Sequence, residues 1–175
     1  NYIDKMNQMI NKYLNYSKIK LRKISINPTN LTNEEILEIL NDTITFFDCN
    51  IEMEIPQPEN EFLKFKNLNK YVELDVKLFQ QMIFNILDNA CKNSSKVKIL
   101  LNFQKEGIQI IIKNETNFEN YQLVKDIFNE IKETKGLGLN IIKEISIINQ
   151  TPVEISYENN YLLFTINLKY ASNSF

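Results

Sequence analysis

Two stretches of this chain combine residue types and spacings that can do chemistry. The first is Asn85-Ile-Leu-Asp-Asn89-Ala-Cys-Lys92-Asn93. On a helix of 3.6 residues per turn, Asn85, Asn89 and Lys92 share a face with Gln81 and Asp88 beside them, and Phe79, Ile83, Ile86, Leu87 and Ala90 cover the other side. Carboxamide oxygens are neutral, hard donors that can hold magnesium without cancelling its charge, and an ammonium at Lys92 can meet a phosphate oxygen. Taken alone, the same spacing also describes the solvated face of an ordinary amphipathic helix. The second stretch is Gly136-Leu137-Gly138-Leu139, which opens a segment with apolar residues at Ile141, Ile142, Ile145 and Ile148. Glycines allow close backbone approach to an anion, and a helix N-terminus supplies free N–H groups and a positive dipole end. Two of the chain's three glycines fall at this one site, which favours the phosphate-loop reading over a merely flexible helix entry.

Composition removes most other chemistries. The 175 residues include no histidine, so a His-based general base, a Ser-His or Cys-His pair and the usual zinc and haem sites are all excluded within the chain. Cys49 and Cys91 are too few for a disulfide framework and read as small buried hydrophobes of a reducing compartment. A net charge of -2 gives no basic face for nucleic acid or an anionic membrane. No apolar run approaches the length of a membrane span or a signal-peptide core. With 43% hydrophobic and 24% charged residues the chain can fill a core of ordinary size.

The elements that must position the two stretches follow from periodicity. Asn1 to about Lys20 has Ile3, Met6, Ile10 and Tyr13 at steps of three and four, a seam that suits either a dimer or packing on the chain's own domain. A strand is predicted at Lys23–Ile26, ended by Asn27-Pro28, and Thr32 with Glu35 forms a capping box for a helix with Ile36, Leu37, Leu40, Ile44 and Phe47 on one face. Ile51–Ile55 and Tyr71–Leu74 read as strands flanking a charged excursion over Gln57–Lys70, and Asp75 as the N-cap of a long helix to about Asn93. Val97–Phe103 and Ile108–Lys113 form a hairpin through Lys105-Glu106-Gly107. A short helix at Tyr121–Ile131, the glycine-led helix to about Asn149, and a final hairpin of Val153–Tyr157 and Tyr161–Leu168 complete the chain. The pattern specifies an α+β, two-layer α/β sandwich with a mixed, largely antiparallel sheet, preceded by one long N-terminal helix.

In this order and separation, the two stretches resemble the ATP-binding catalytic domain of sensor histidine kinases, the Bergerat fold of the GHKL ATPase superfamily. The run from Asp75 to Lys92 looks like the family's asparagine box with its approach, Ile127-Phe128-Asn129-Glu130 like a reduced phenylalanine box, and Gly136-Leu137-Gly138-Leu139 like the second glycine box. The segment from Met9 to Ile19 is similar to the second helix of the kinase dimerisation hairpin, which divides the chain into a partial hairpin at 1–21 and a catalytic domain at 22–175. The resemblance implies that Asn89 coordinates magnesium, Asn85 lies beside the triphosphate, Lys92 contacts phosphate oxygens and Asn93 sits near the nucleoside. It also implies that the backbone of Gly136, Leu137, Gly138 and Leu139 faces the phosphates, with Asn85 and Lys92 taking part in transfer itself. In the ATPase cousins a glutamate that activates water occupies the place of Asn85; an amide cannot act as that base, which fits phosphoryl transfer better than hydrolysis.

The implied activity is transfer of the ATP γ-phosphoryl to a histidine outside this chain, with a response-regulator receiver domain as partner, a homodimer formed through the N-terminal helix, and a cytoplasmic location. The first glycine box departs from the family's pattern. Asn114 stands where an aspartate would accept a hydrogen bond from the adenine amino group, and Thr116 and Phe118 stand where glycines are expected. A neutral acceptor in place of a charged one weakens binding by roughly tenfold. Only seven residues separate Phe128 from Gly136, a short lid. These departures motivate the alternative of a pseudokinase that serves as a dimerisation and docking module.

Overall fold

Alternation along three long strands sets the layers. Val97, Ile99, Leu101 and Phe103 on one strand, Ile108, Ile110 and Ile112 on the next, and Leu162, Phe164, Ile166 and Leu168 on a third are all buried, while the residues between them are partly exposed. The structure is a computed structural model that describes residues 17–19, 25–55, 70–129 and 136–171. In chain order its elements are β1 (Thr29–Leu31), α1 (Asn33–Ile44), β2 (Asn50–Glu54), β3 (Val72–Leu74), α2 (Val76–Asn93), β4 (Lys96–Gln104), β5 (Gly107–Glu115), α3 (Phe118–Asn129), α4 (Leu137–Ile148), β6 (Val153–Glu158) and β7 (Tyr161–Lys169).

Five strands form a sheet in the order β2-β4-β5-β7-β6, in which β2 and β4 are parallel and the other neighbours antiparallel. β1 and β3 form a separate antiparallel pair. The mixed, largely antiparallel α+β sandwich is therefore as expected. The long helix predicted over Asn1 to about Lys20 lies outside the described residues except at 17–19, which are helical, with Ile19 buried.

Helices α1, α2 and α4 contribute the other half of the core through Ile36, Leu40, Phe79, Met82, Ile83, Ile86, Leu87, Ile141, Ile142 and Ile145. The sheet's other face is tied by carboxamides in register: Asn102 Nδ2 donates to Gln109 Oε1 at 3.2 Å, and Gln109 Nε2 donates to Asn167 Oδ1 at 3.1 Å. The parallel edge strand β2 carries Glu52 and Glu54, paired with Lys96 at 3.0 Å and Lys98 at 2.7 Å respectively. The Lys96 hydrogen bond holds the partly exposed Glu52 carboxyl below the usual carboxylate range. A charged edge of this kind discourages pairing with other chains.

The first short strand differs from expectation. Of the strand predicted at Lys23–Ile26, Lys23 and Ile24 lie outside the described residues and Ser25 and Ile26 are not in a strand; β1 begins after Pro28, which lacks the N–H a ladder needs, and pairs Thr29 to Leu31 with β3. The capping box of α1 is as read: Glu35 N–H donates to Thr32 Oγ1 at 3.2 Å and Thr32 N–H to Glu35 Oε2 at 2.8 Å. Cys49 and Cys91 are not independent buried thiols. The turn after α1 lays Cys49 against the last turns of α2, and the two are joined in a disulfide with their Cα atoms 5.8 Å apart.

Asp75 is the junction that starts the long helix. Its Oδ1 accepts from Leu78 N–H at 3.0 Å as N-cap, its Oδ2 accepts from Asn27 N–H at 2.8 Å, and its own N–H donates to Asn149 Oδ1 at 3.2 Å. Asp75→Ala is expected to lose the cap and strand the Asn27 donor, costing about 1–2 kcal/mol and lowering Tm by roughly 2–8 °C, with Asp75→Asn recovering most of it. Differential scanning fluorimetry of the two variants checks this.

Candidate functional site

The C-terminal half of α2 and the glycine turn, about fifty positions apart in sequence, meet across one cleft of about 280 Å³. From α2 come Asn85, Asp88, Asn89, Lys92 and Asn93; from the opposite side come Gly136, Gly138 and Leu139; Thr116, Asn120, Leu123, Val124 and Ile127 of the β5–α3 segment and Leu162 close it. Of the residues singled out by sequence, Asn85, Asn89, Lys92, Asn93, Gly136, Gly138 and Leu139 are thus brought together. Leu137 is the first residue of α4 and is not on the wall of the cleft. Asn114 is not on it either: it sits near the end of β5, is 1% exposed, and turns its amide nitrogen to the Glu115 carbonyl at 3.3 Å.

Helix geometry explains the α2 face. Asn85 is buried, its Nδ2 donates to the Gln81 carbonyl at 2.7 Å, and its Oδ1 is buried with no hydrogen-bond partner. Since the amide nitrogen is committed to a carbonyl, the orphan atom is the oxygen, an acceptor held ready for a cation or donor. Asn89 is half-buried beside it, with its Nδ2 likewise unpartnered, and its carbonyl accepts from Asn93 Nδ2 at 2.7 Å. Lys92 is mostly exposed and pairs with Asp88 one turn back at 2.8 Å. An exposed pair of this spacing is worth only about 0.3–0.5 kcal/mol, so Lys92 can leave Asp88 for a phosphate at little cost. Helix α2 ends where Ser94 turns extended, its N–H bonding the Ala90 carbonyl at 3.0 Å.

The opposing wall is set by Gly136. It adopts φ 72°, and a Cβ there would run into the Ile127 side chain, so glycine is needed both for the backbone turn and for the approach of α3. No side chain caps α4, which leaves first-turn N–H groups beside the cleft for a ligand or solvent. Lys143 of α4 donates to the Phe128 and Asn129 carbonyls at 2.9 and 3.2 Å and so fastens the end of α3. Glu130 and the remainder of the short lid lie outside the described residues.

Helix α3 begins at Phe118, earlier than the sequence predicts. Asn117 caps it, its Oδ1 accepting Asn120 N–H at 2.8 Å, and Thr116 N–H is tied to the Asn160 carbonyl at 2.9 Å. The stretch matched to the first glycine box is accordingly a two-residue step from strand to helix. Sequence reasoning did not assign Asn120, Leu123, Val124 or Ile127 to the site; their spacing of three and four was the available signal for one helical face.

No family profile matches the sequence, and no well-characterised protein is significantly similar to it. Solved structures do resemble it. Histidine kinase AdeS of Acinetobacter baumannii is 17% identical with a TM-score of 0.65, the match covering 97% of this chain and 81% of that one. The catalytic domain of histidine kinase ThkA is 18% identical with a TM-score of 0.61, covering 83% of this chain and 97% of that one. Full-length ShkA, solved in complex with AMPPNP, is 15% identical with a TM-score of 0.69, covering 97% of this chain and 36% of that one. With helices over one face of the five-stranded sheet and the asparagine face of α2 opposed to the glycine turn, the chain has the fold of the catalytic domains of sensor histidine kinases.

Proposed function

We propose that this chain binds magnesium-ATP in the cleft between α2 and α4 and transfers the γ-phosphoryl group to a histidine outside itself, as the catalytic domain of a two-component sensor kinase. The observation that carries this reading is the convergence of Asn85, Asn89, Lys92 and Asn93 with the uncapped, glycine-led start of α4. The donor set suits the ligand: neutral hard oxygens at Asn85 and Asn89 for magnesium, with the unpartnered Asn85 Oδ1 already oriented, and an ammonium and helix N–H groups for phosphate. Magnesium, when bound, neutralises phosphate charge. That neutralisation is needed because the charged side chains on the described wall, Asp88 and Lys92, cancel each other. Lys92 exchanges Asp88 for a phosphate oxygen, and the α4 N–H groups orient the chain of phosphates. Asn85, being an amide, withholds general-base assistance from water and so favours transfer over hydrolysis.

The acceptor histidine comes from elsewhere, since this sequence contains none. A receiver domain as next recipient, dimerisation through the N-terminal segment and a cytoplasmic setting belong to the same proposal. Among the described residues no helix is long and apolar enough to cross a membrane.

The test is incubation with magnesium and γ-labelled ATP together with a dimerisation hairpin bearing a histidine. Acid-labile, base-stable label on the hairpin is the expected result. ATP turnover with no labelled histidine would refute it in favour of an ATPase, and nucleotide binding with neither transfer nor turnover would favour the docking module.

A further inference from the structure

We infer that Lys143, although not on the wall of the cleft, is a positioning residue for the nucleotide: it locks the end of α3 to α4 and so sets the spacing of the two helices that face α2. This rests on the nucleotide reading above and adds a residue to its machinery.

Helix α3 ends at Asn129 and carries no basic residue in its last turn. Its final carbonyls therefore have neither an intrahelical partner nor a local positive charge. Lys143 supplies both from a different element. Its Nζ donates to the Phe128 carbonyl at 2.9 Å and to the Asn129 carbonyl at 3.2 Å, and it lies 5.9 Å from the centroid of the Phe128 ring. Phe128 is itself packed against the core, so the ammonium grips a part of α3 that is already seated.

The same end of α3 is held at a second point. The Ile127 side chain occupies the space into which a Cβ on Gly136 would run. Gly136 and Lys143 are seven positions apart, two turns, and so lie on one side of α4. Side chains lean toward the N-terminus of their helix, which carries the Lys143 ammonium back toward the glycine turn. A helix end touched at one point can pivot. Held through both a side chain and its backbone carbonyls, it keeps its angle.

That angle bears on the ligand. Leu123, Val124 and Ile127 of α3 line the same cleft as Gly136, Gly138 and Leu139 around the start of α4, and Lys143 does not line it. The start of α4 offers N–H groups to the phosphates and α3 offers the wall beside them, so a shift between the two changes how a triphosphate meets Asn85, Asn89 and Lys92. A misplacement of about 1 Å is enough to cost two orders of magnitude in a transfer step. The two lysines thus divide the work. Lys92 is mostly exposed and exchanges its partner, whereas Lys143 is partly buried and committed to α3.

The experiment is calorimetric titration with magnesium-ATP at a temperature where every variant is folded, beside thermal melts. Lys143→Met keeps the aliphatic stem and removes the donor and its charge. It is expected to weaken binding roughly 5- to 50-fold and to lower Tm by roughly 2–8 °C. Lys143→Arg, which can still donate to two carbonyls, should bind within about threefold of the wild type. Thr32→Ala removes the cap of α1, a helix that does not line the cleft, and should lower Tm by a similar amount with no change in binding. Should Lys143→Met fail to fold, Lys143→Gln replaces it, with a loss of about threefold expected from a neutral donor. Wild-type affinity in the methionine or glutamine variant, no rescue by arginine, or an equal loss of affinity in Thr32→Ala would each overturn the inference while leaving the phosphate site intact. Failure of the wild type to bind magnesium-ATP would instead remove the nucleotide reading itself, and this inference with it.

Discussion

Asn89→Ala is expected to raise the dissociation constant for magnesium-ATP by roughly 10- to 150-fold without lowering the melting temperature. The binding loss follows from removing one charge-assisted contact of about 1.5–3 kcal/mol between the side chain and the metal–phosphate unit. The stability half of the prediction comes from the free protein. Asn89 Nδ2 is buried without a partner, so truncation removes an unsatisfied donor and leaves no new one behind. The neighbouring Asn93 bond is made to the Asn89 carbonyl, which alanine keeps. Alanine is also the best helix former, and position 89 is inside α2. Calorimetric titration with and without magnesium, beside a thermal melt, separates the two effects. Weak binding accompanied by a large fall in Tm would mean that the asparagine is structural, and unchanged binding would move the metal elsewhere.

The second large effect concerns Cys49 and Cys91. Reduction is expected to lower stability by about 4 kcal/mol, which corresponds to a fall in Tm of roughly 8–16 °C. The bond spans 42 residues of sequence, and closing a loop of that size in the unfolded chain is what the cross-link contributes. It also fastens the turn before β2 to the helix turn that carries Asn89 and Lys92. Thermal melts with and without a phosphine reductant measure the effect. The double variant Cys49→Ser with Cys91→Ser should melt at the reduced temperature and ignore the reductant. Equal melting of the wild type in both conditions would show that the thiols remain unlinked in solution.

The parts of the fold written in local chemistry were legible in the sequence. Thr32 with Glu35, Asp75, and the period-two runs of β4, β5 and β7 depend on side chains within a few positions of one another, and each element forms as those residues require. The asparagine face and the glycine turn were legible one by one, but their meeting is a product of tertiary packing of α2 against α4. What escaped notice also lay at long range. Cys49 and Cys91 looked like separate apolar residues because nothing nearby in sequence announces a partner far along the chain. The early start of α3 depended on Thr116 being held by a turn between β6 and β7, which fixes the chain just where Asn117 can cap a helix. Asn114 reads as a base acceptor from its type and place; what sequence does not show is its burial, with Oδ1 left unpartnered, which the sheet and the helix above it decide.

The register of the five-stranded sheet divides its contacts by how much chain must be closed to make them. β4 with β5 and β6 with β7 are hairpins, closed by Lys105-Glu106 and by Asn159-Asn160, where both asparagines take left-handed φ values of 51° and 66°. The two remaining junctions, Asn50 opposite Lys96 and Glu115 opposite Tyr161, each enclose long helical stretches. Loop-closure entropy is small for the hairpins and larger for these seams, the first of which the Cys49–Cys91 bond already shortens. The cleft lies between α2, which belongs to the first seam, and α3 with α4, which belong to the second. Its two walls thus hang on the two long-range seams of the sheet, and the site exists only once both have closed.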